Sequence, residues 1–182
     1  TTSKKVTSLN DVKGMKIRTP SRSGGWMIEA WGADPVGMPL PDLPQSLSKG
    51  VVEGGLVPFE IFPPFKLAEL TNYSLVGGDN ERFGTATFLF AMNKDSYNNL
   101  PDDLKKVIDD NIGPAFSEEM GVAWNNVEKP GMGMQEKSGG EIVELDAAAK
   151  GTFDEVGGKV VARWVSEVSG RGIDGQKLVD EA

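Results

Sequence analysis

The sequence contains no cysteine and no histidine among its 182 residues. Without cysteine there is no disulfide scaffold, no thiolate metal site and no cysteine nucleophile. Without histidine the chain also lacks the commonest general base near neutral pH and the commonest metal ligand. These absences exclude most hydrolase, transferase and zinc chemistries. We therefore expect a protein that is not an enzyme and holds no cofactor or metal, with catalysis by carboxylates or lysine as the alternative.

The chain also lacks an excess of basic residues and any long hydrophobic run. Its formal net charge is −8 and its isoelectric point is about 4.7, without the basic face that nucleic-acid binders carry. The longest apolar run, Ala86 to Met92, has seven residues, far short of a membrane span. No apolar segment follows Thr1 to Lys5, so no signal peptide is predicted in this sequence. A cytoplasmic, a processed and a truncated protein all fit this composition.

Strands and helices alternate through the first hundred residues, which predicts an α/β fold. The run Gly84–Met92 is apolar and rich in β-branched and aromatic residues, as in a strand buried on both faces of a mixed or parallel sheet. The other strand candidates are 15–19, 35–38, 51–57 and 72–76, and the helix candidates are 24–31 and 41–49.

The second half is predicted to be mainly helical. A helix begins at Leu100-Pro101 and is interrupted at Gly113-Pro114, because proline suits the first turn of a new helix. The next helix is predicted to stop near Glu128, before Pro130. One short strand, 142–143, and helices over 147–168 and 175–182 complete the chain. The predicted division is an α/β lobe over 1–100 and helices with one strand over 101–182.

Five segments in the same order resemble the DctP-type solute-binding proteins of TRAP (tripartite ATP-independent periplasmic) transporters. The similarity runs from about Leu9 to the end of the chain. The segments are KGMKIRTP at 13–20, LPQSLSKGVVEGGLV at 43–57, FKLAELTNY at 65–73, MNK with LPDDLK at 92–105, and GIDGQKLVDEA at 172–182.

The resemblance implies an exported, periplasmic protein that delivers a small organic carboxylate to a membrane permease driven by an ion gradient. It implies a type II-like, two-lobed periplasmic-binding-protein fold, with a mixed sheet flanked by helices and long helices crossing the hinge. This sequence would supply most of the second lobe and the hinge helices, with most of the first lobe and the precursor's signal peptide absent. We expect such a fragment to form a homodimer. A ligand sensor is the alternative in the same fold, and neither reading involves nucleic acid.

The resemblance places Arg18 on the family's arginine that pairs with the substrate carboxylate. Arginine suits that role because its planar, permanently charged group binds a carboxylate with two hydrogen bonds. Ser21 follows on the same turn, where the family often has an amide, and either donates a hydroxyl or forms the turn. Val57 stands where some members have asparagine, which argues against a polyhydroxylated, sialic-acid-like ligand.

Four further residues are candidate ligand contacts. Phe59 offers an aromatic wall or packs in the core, and Glu60 would repel a second carboxylate or meet an ammonium or hydroxyl group. Leu40 matches a pocket-lining position, and Thr87 falls near a polar contact of the family. For the enzyme alternative, Glu60 and Glu69 are the acid–base candidates. The two tryptophans Trp26 and Trp31 are predicted to pack in the core.

Overall fold

A computed structural model describes residues 1–78, 81–84 and 87–182 as an α/β structure. The helices are α1 (Leu9–Val12), α2 (Arg22–Ala30), α3 (Leu43–Ser48), α4 (Phe62–Phe65), α5 (Lys94–Asn98), α6 (Asp102–Asn111), α7 (Pro114–Lys137), α8 (Ala147–Ser169) and α9 (Gly175–Asp180). The strands are β1 (Lys16–Thr19), β2 (Asp34–Gly37), β3 (Gly54–Gly55), β4 (Tyr73–Val76) and β5 (Glu141–Glu144). Short 3₁₀ turns cover Leu40–Asp42, Phe59–Ile61 and Leu67–Glu69.

The strands form two parallel sheets. In the first, β1 is central, with β2 on one side and β3 on the other, so that Arg18 lies opposite Val36 and Gly55. In the second, β4 pairs with β5 in parallel. The first residues connect the two sheets, because the Thr2 amide donates to Glu53 O (2.9 Å) and the Asn72 amide donates to Thr1 O (3.0 Å). Every strand pair in the described residues is parallel, and helices cover the sheets.

Two hydrophobic clusters form the core. The first packs α1, β1, α2 and α8 together, and Ile28 is its most deeply buried side chain. The second gathers α3, α4, β4 and the turn Phe59–Ile61, with Leu43 and Val52 fully enclosed. Each buried side chain of this size contributes about 1.5–3 kcal/mol from removal of apolar surface from water. The two clusters hold the strand ends at fixed positions.

The α/β class predicted from the sequence is confirmed, and most helix boundaries agree. The break at Gly113-Pro114 is present, since α6 ends at Asn111 and α7 begins at Pro114. The helix predicted over 147–168 is α8, and the strand predicted at 142–143 is β5. The strand predicted over 51–57 is reduced to Gly54–Gly55, the only residues of that run paired with β1. The division of the chain at residue 100 stays a prediction.

The predicted stop of the long helix before Pro130 is wrong, because α7 continues to Lys137. Proline removes one helical hydrogen bond and crowds the preceding turn. Tertiary contacts beyond Pro130 offset that cost. Gly131 and Gln135 are buried, and Gln135 Nε2 donates to Thr71 O (3.1 Å) while Thr71 Oγ1 donates to Gln135 Oε1 (3.3 Å).

The predicted strand Gly84–Met92 is also wrong in the residues of this run that the structure describes. Its residues 85 and 86 lie outside the described part of the chain, and residues 87–92 form no strand and are exposed. Instead of joining a sheet, the aromatic side chains of this run lie against α7. The rings of Phe88 and Trp124 are 4.9 Å apart, and those of Phe90 and Phe116 are 5.0 Å apart.

The segment from residue 87 to residue 130, which we call the outer segment, contains no buried residue. It comprises the run after residue 86, α5, α6 and the first part of α7. It nevertheless carries many large apolar side chains, and Leu89 is the most exposed of them at 86%. Among the described residues no helix is long and apolar enough to cross a membrane.

Candidate functional site

Arg18 lies on the central strand with its side chain buried, 5% exposed. Its Nε donates to Met38 O (3.1 Å) and its Nη1 donates to Leu56 O (3.1 Å). Met38 is the first residue after β2 and Leu56 the first after β3. The arginine therefore joins the segments that follow both neighbouring strands, and this holds its guanidinium at the carboxyl edge of the sheet.

The Arg18 cation has no carboxylate within ion-pair distance in the described part of the chain. Burial lowers the pKa of its guanidinium from the usual value, because the charged form loses hydration. Two of its five N–H groups are used in the backbone contacts. A buried cation with free donors and no counter-ion favours an arriving anion, since the anion supplies both charge and acceptors.

Arg18 lines an open cleft of about 650 Å³ at the carboxyl ends of β1 and β2. Ligands of parallel α/β sheets bind at this edge, because the loops there leave a crevice. The cleft walls come from the residues after β1, from one face of α2 and from the residues after β2. The volume is within the usual range of small-molecule sites, about 300–1,000 Å³.

Ser21 also lines this cleft, and it is the N-cap of α2. Its Oγ accepts a hydrogen bond from the Gly24 amide (3.1 Å), so the turn-forming role is present. The same Oγ lies 3.3 Å from Ser23 Oγ, and either hydroxyl can be the donor of that contact. Gly24 allows this close turn, because a Cβ there would lie 2.6 Å from Thr19 Oγ1.

The other predicted ligand contacts do not line the Arg18 cleft. Leu40 and Val57 are half-buried and pack against the second cluster. Leu40 lies two residues after Met38 and Val57 one residue after Leu56, the two residues whose carbonyls accept from Arg18. Phe59 is buried at 5% exposure, and its ring lies 5.0 Å from that of Phe62. The guanidinium of Arg82 lies over the same ring, 5.4 Å from its centre.

Glu60 contacts α7, because its Oε1 accepts a hydrogen bond from Trp124 Nε1 (3.2 Å). Thr87 is exposed and outside any helix or strand. Neither residue lines the Arg18 cleft. Glu69, the second acid of the enzyme alternative, is exposed in the turn Leu67–Glu69. No group of three or more acidic side chains in the described residues is arranged to hold a metal ion.

Sequence reasoning missed one wall of the cleft, which is a face of α2. Arg22, Trp26 and Glu29 follow a helical spacing of four and three residues, so they share that face. Helix α8 supports it. The guanidinium groups of Arg22 and Arg163 lie 4.8 and 4.4 Å from the Trp26 ring centre, and Arg163 Nη1 pairs with Glu29 Oε2 (3.0 Å). The spacing of Arg22, Trp26 and Glu29 is a signal that the sequence contains. The sequence itself predicts only that Trp26 and Trp31 pack in the core, and both are buried.

Residues 1–167 match the family model described as bacterial extracellular solute-binding protein, family 7 (DctP). The chain belongs to this family. The family consists of solute-binding transport proteins rather than enzymes, and its members act outside the cytoplasm. The resemblance predicted from the five segments is confirmed.

Solved structures of TRAP solute-binding proteins share this fold. One from an unidentified marine metagenome microbe, specific for aromatic acid ligands and bound to metahydroxyphenylacetate, has 40% identity and a TM-score of 0.93 over 99% of this chain. One from Rhodoferax ferrireducens, with copurified benzoate, has 36% identity and a TM-score of 0.91 over 99% of this chain. One from Bordetella bronchiseptica, with (R)- and (S)-mandelate, has 25% identity and a TM-score of 0.82 over 97%.

The chain spans little more than half the length of these relatives, 57% of the metagenome protein and 56% of each of the other two. The structural agreement extends over 97–99% of this chain. The fold expected from the resemblance, an α/β lobe of a periplasmic-binding-protein-like structure, is confirmed by these comparisons.

Proposed function

We propose that this protein is the solute-binding part of a TRAP transporter and binds a small aromatic carboxylate in the periplasm. The observation that carries the proposal is Arg18, a buried cation with free N–H donors and no carboxylate partner in the described residues, at the edge of an open cleft. The ligand carboxylate binds Arg18, and a membrane permease receives the ligand. The identity of the ligand class follows the relatives, which bind benzoate, mandelate and metahydroxyphenylacetate.

The remaining candidates are assigned by their position relative to Arg18. Ser21 donates its hydroxyl to the same carboxylate. Leu40 and Val57 stay predictions as apolar contacts for the ligand ring, because neither lines the Arg18 cleft and both pack against the second cluster. Phe59, Glu60 and Thr87 stay predictions as ligand contacts, because Phe59 and Glu60 contact other elements of the protein and Thr87 lies outside the cleft.

Calorimetric titration with benzoate, 3-hydroxybenzoate and mandelate tests the proposal. We expect Arg18→Ala to weaken binding by about 10- to 100-fold, since a hydrogen bond to a charged group contributes about 1.5–3 kcal/mol. Arg18→Lys keeps the charge but loses the paired donors, so an intermediate loss is expected. Arg171→Ala is the control, because Arg171 is an exposed arginine paired with Glu167.

Two outcomes would contradict the proposal. Equal affinity of the parent chain and Arg18→Ala would remove Arg18 from the site. Absence of heat with every carboxylate in the parent chain would show that this chain does not bind the class. Circular dichroism of each variant confirms that the loss is not unfolding, since the Arg18 side chain also contacts two backbone carbonyls.

We also propose that the chain forms a homodimer through the outer segment. Large exposed apolar patches on soluble proteins mark interaction surfaces. Phe88, Leu89, Phe90 and Val107 are each more than half exposed there. A second copy of the chain is the occupant that this protein itself can supply. Sedimentation should show a dimer that Leu89→Asp dissociates, and a monomer at all concentrations would contradict the proposal.

A further inference from the structure

A second cleft, of about 430 Å³, lies at the opposite edge of the sheet from Arg18. It is formed by α1, by the residue Lys13 before β1, by the end of α2 at Trp31 and by α8 at Thr152. It lies at the amino ends of β1 and β2, whereas the Arg18 cleft lies at their carboxyl ends. The two clefts share no lining residue, so a ligand in one leaves the other open.

Trp31 lines this second cleft and carries a buried donor without an acceptor. The residue is 5% exposed, and its Nε1 is the only buried side-chain nitrogen or oxygen of the described residues without a hydrogen-bond partner. Its aromatic neighbours Phe83 and Phe153 lie 5.5 and 5.4 Å away between ring centres, and neither side chain has an acceptor atom. Buried donors are nearly always paired in folded proteins, so an unpaired one indicates a missing partner.

Lys13 adds a cation to the same cleft. Its Nζ donates to Asn10 Oδ1 (2.7 Å), and no carboxylate in the described part of the chain lies within ion-pair distance of it. The nearby Asp11 points elsewhere, since its Oδ2 accepts from the Thr7 and Ser8 amides (3.0 and 2.9 Å). In a chain of net charge −8, a lysine ammonium without an acidic partner is a local positive site.

The lining of this cleft combines hydrogen-bond donors with apolar side chains. Because Asn10 Oδ1 already accepts from Lys13, its amide nitrogen is the free end and can donate. Leu9 and Ala30 supply apolar wall. This combination suits a compact anion with an apolar body, rather than a cation or a sugar, because acceptor oxygens would meet donors on Lys13 and Asn10, while the enclosed Trp31 indole is a third donor that lacks a partner.

We propose that this cleft is a second binding site for a small organic carboxylate. Lys13 pairs with the carboxylate charge, Asn10 and the Trp31 indole donate hydrogen bonds, and the apolar part of the ligand contacts Leu9 and Ala30. The proposal does not rest on the Arg18 site, because the two clefts have separate walls.

One NMR titration reports on ligand binding in both clefts. The protein has four tryptophans, so nitrogen-labelled protein gives four indole N–H signals in a two-dimensional NMR spectrum. Trp26 lines the Arg18 cleft and Trp31 lines the second cleft. Each signal is assigned by a Trp→Phe substitution. Benzoate is then added, up to about 10 mM, to the parent chain and to Arg18→Ala.

We expect the Trp31 signal to move saturably with benzoate in Arg18→Ala, with the downfield shift of a newly formed hydrogen bond. Lys13→Ala should weaken this response at least about fivefold, because the charge partner is lost. Lys49→Ala is the matched control and should leave it unchanged. Lys49 is an exposed lysine at the end of α3, for which no carboxylate of the described residues is within ion-pair distance.

The outcomes separate this inference from the proposed function. A Trp31 signal that stays fixed, or drifts linearly without saturation, overturns the second site whatever Trp26 does. A Trp31 response that is the same in Lys13→Ala as in the parent also overturns it. A saturable Trp31 response that depends on Lys13 supports the second site even where Trp26 is silent, and that silence would count against the Arg18 site alone.

Discussion

The sheets with their covering helices and the outer segment show two different uses of apolar residues. In the first region, side chains such as Ile28, Leu43 and Val52 are almost completely enclosed. In the outer segment, Leu104 and Val107 lie three residues apart on α6 but are 47% and 58% exposed, and Ile112, directly after the helix, is 51% exposed. Both regions have amphipathic elements, yet only the first contains the surfaces that bury them.

This difference shows that an apolar pattern predicts an element but not its burial. Burial requires a complementary surface, and the relatives are almost twice as long as this chain. The outer segment is anchored to the rest of the protein at a few points. They include the Glu60–Trp124 hydrogen bond, the Arg82–Glu128 ion pair and, directly after the segment, the close approach of Gly131 to Phe59. We therefore expect stability to depend mainly on the enclosed region and on these anchors.

The largest expected contrast comes from one substitution made in both regions. Leu43→Ala should lower the free energy of unfolding by about 3 kcal/mol, because Leu43 is 1% exposed and its removal leaves a cavity. Leu104→Ala should change it by less than about 0.5 kcal/mol, because the side chain is 47% exposed and alanine is a good helix former. Urea denaturation of dilute protein measures both.

A similar loss in the two leucine variants would break the comparison. It would mean that Leu104 is covered in solution, for example by a second copy. Repeating the Leu104→Ala measurement across a range of protein concentrations distinguishes that case, since dimer stability rises with concentration.

The second contrast concerns the anchor of α7. A Cβ at Gly131 would lie 1.9 Å from Phe59 O, so Gly131→Ala must push the helix away from the turn Phe59–Ile61. We expect a loss of about 2 kcal/mol. Gly133, two residues further along the helix, has nothing within 4 Å of the same position, and Gly133→Ala should gain about 0.5–1 kcal/mol from helix propensity.

Thermal unfolding of the two glycine variants checks this contrast. If Gly131→Ala were as stable as the parent chain, α7 would not depend on its contact with Phe59. The same variant should also free the indole of Trp124 from Glu60, which would shift its fluorescence to the red. Gly133→Ala should leave that fluorescence unchanged, since its site is open.

Much of the fold was predictable because its signals are local. The proline and glycine at 113–114 end one helix and begin the next, and Asp146 caps α8 through the Ala149 amide. The errors arise where distant contacts decide. Pro130 is tolerated because Gln135 and Gly131 are buried against other elements, and the run 87–92 forms no strand because no neighbouring strand is present for it to pair with in the described residues.

The candidate site was predictable in part for the same reason. Arg18 was placed by family resemblance, since nothing local distinguishes a buried arginine from a surface one. That its guanidinium bonds Met38 and Leu56 depends on residues 20 and 38 positions away. The unpaired indole of Trp31 could not be predicted at all, because it follows from the packing of α2 against Phe83 and Phe153.

The smallest expected contrast uses helix caps. Asp146 Oδ1 accepts from the Ala149 amide (2.8 Å) at the start of α8, and Asn93 Oδ1 accepts from the Asp95 and Ser96 amides (2.9 and 3.0 Å) at the start of α5. Asp146→Ala should cost about 1 kcal/mol of global stability, while Asp146→Asn, which keeps the cap, should cost much less.

Asn93→Ala should leave the global unfolding transition unchanged, because α5 contains no buried residue and can open without the rest of the protein. Its effect should instead be faster hydrogen exchange confined to the amides of residues 94–98. Slower refolding or a lower melting temperature in Asn93→Ala would show that the outer segment unfolds together with the sheets, and the two regions would then be one cooperative unit.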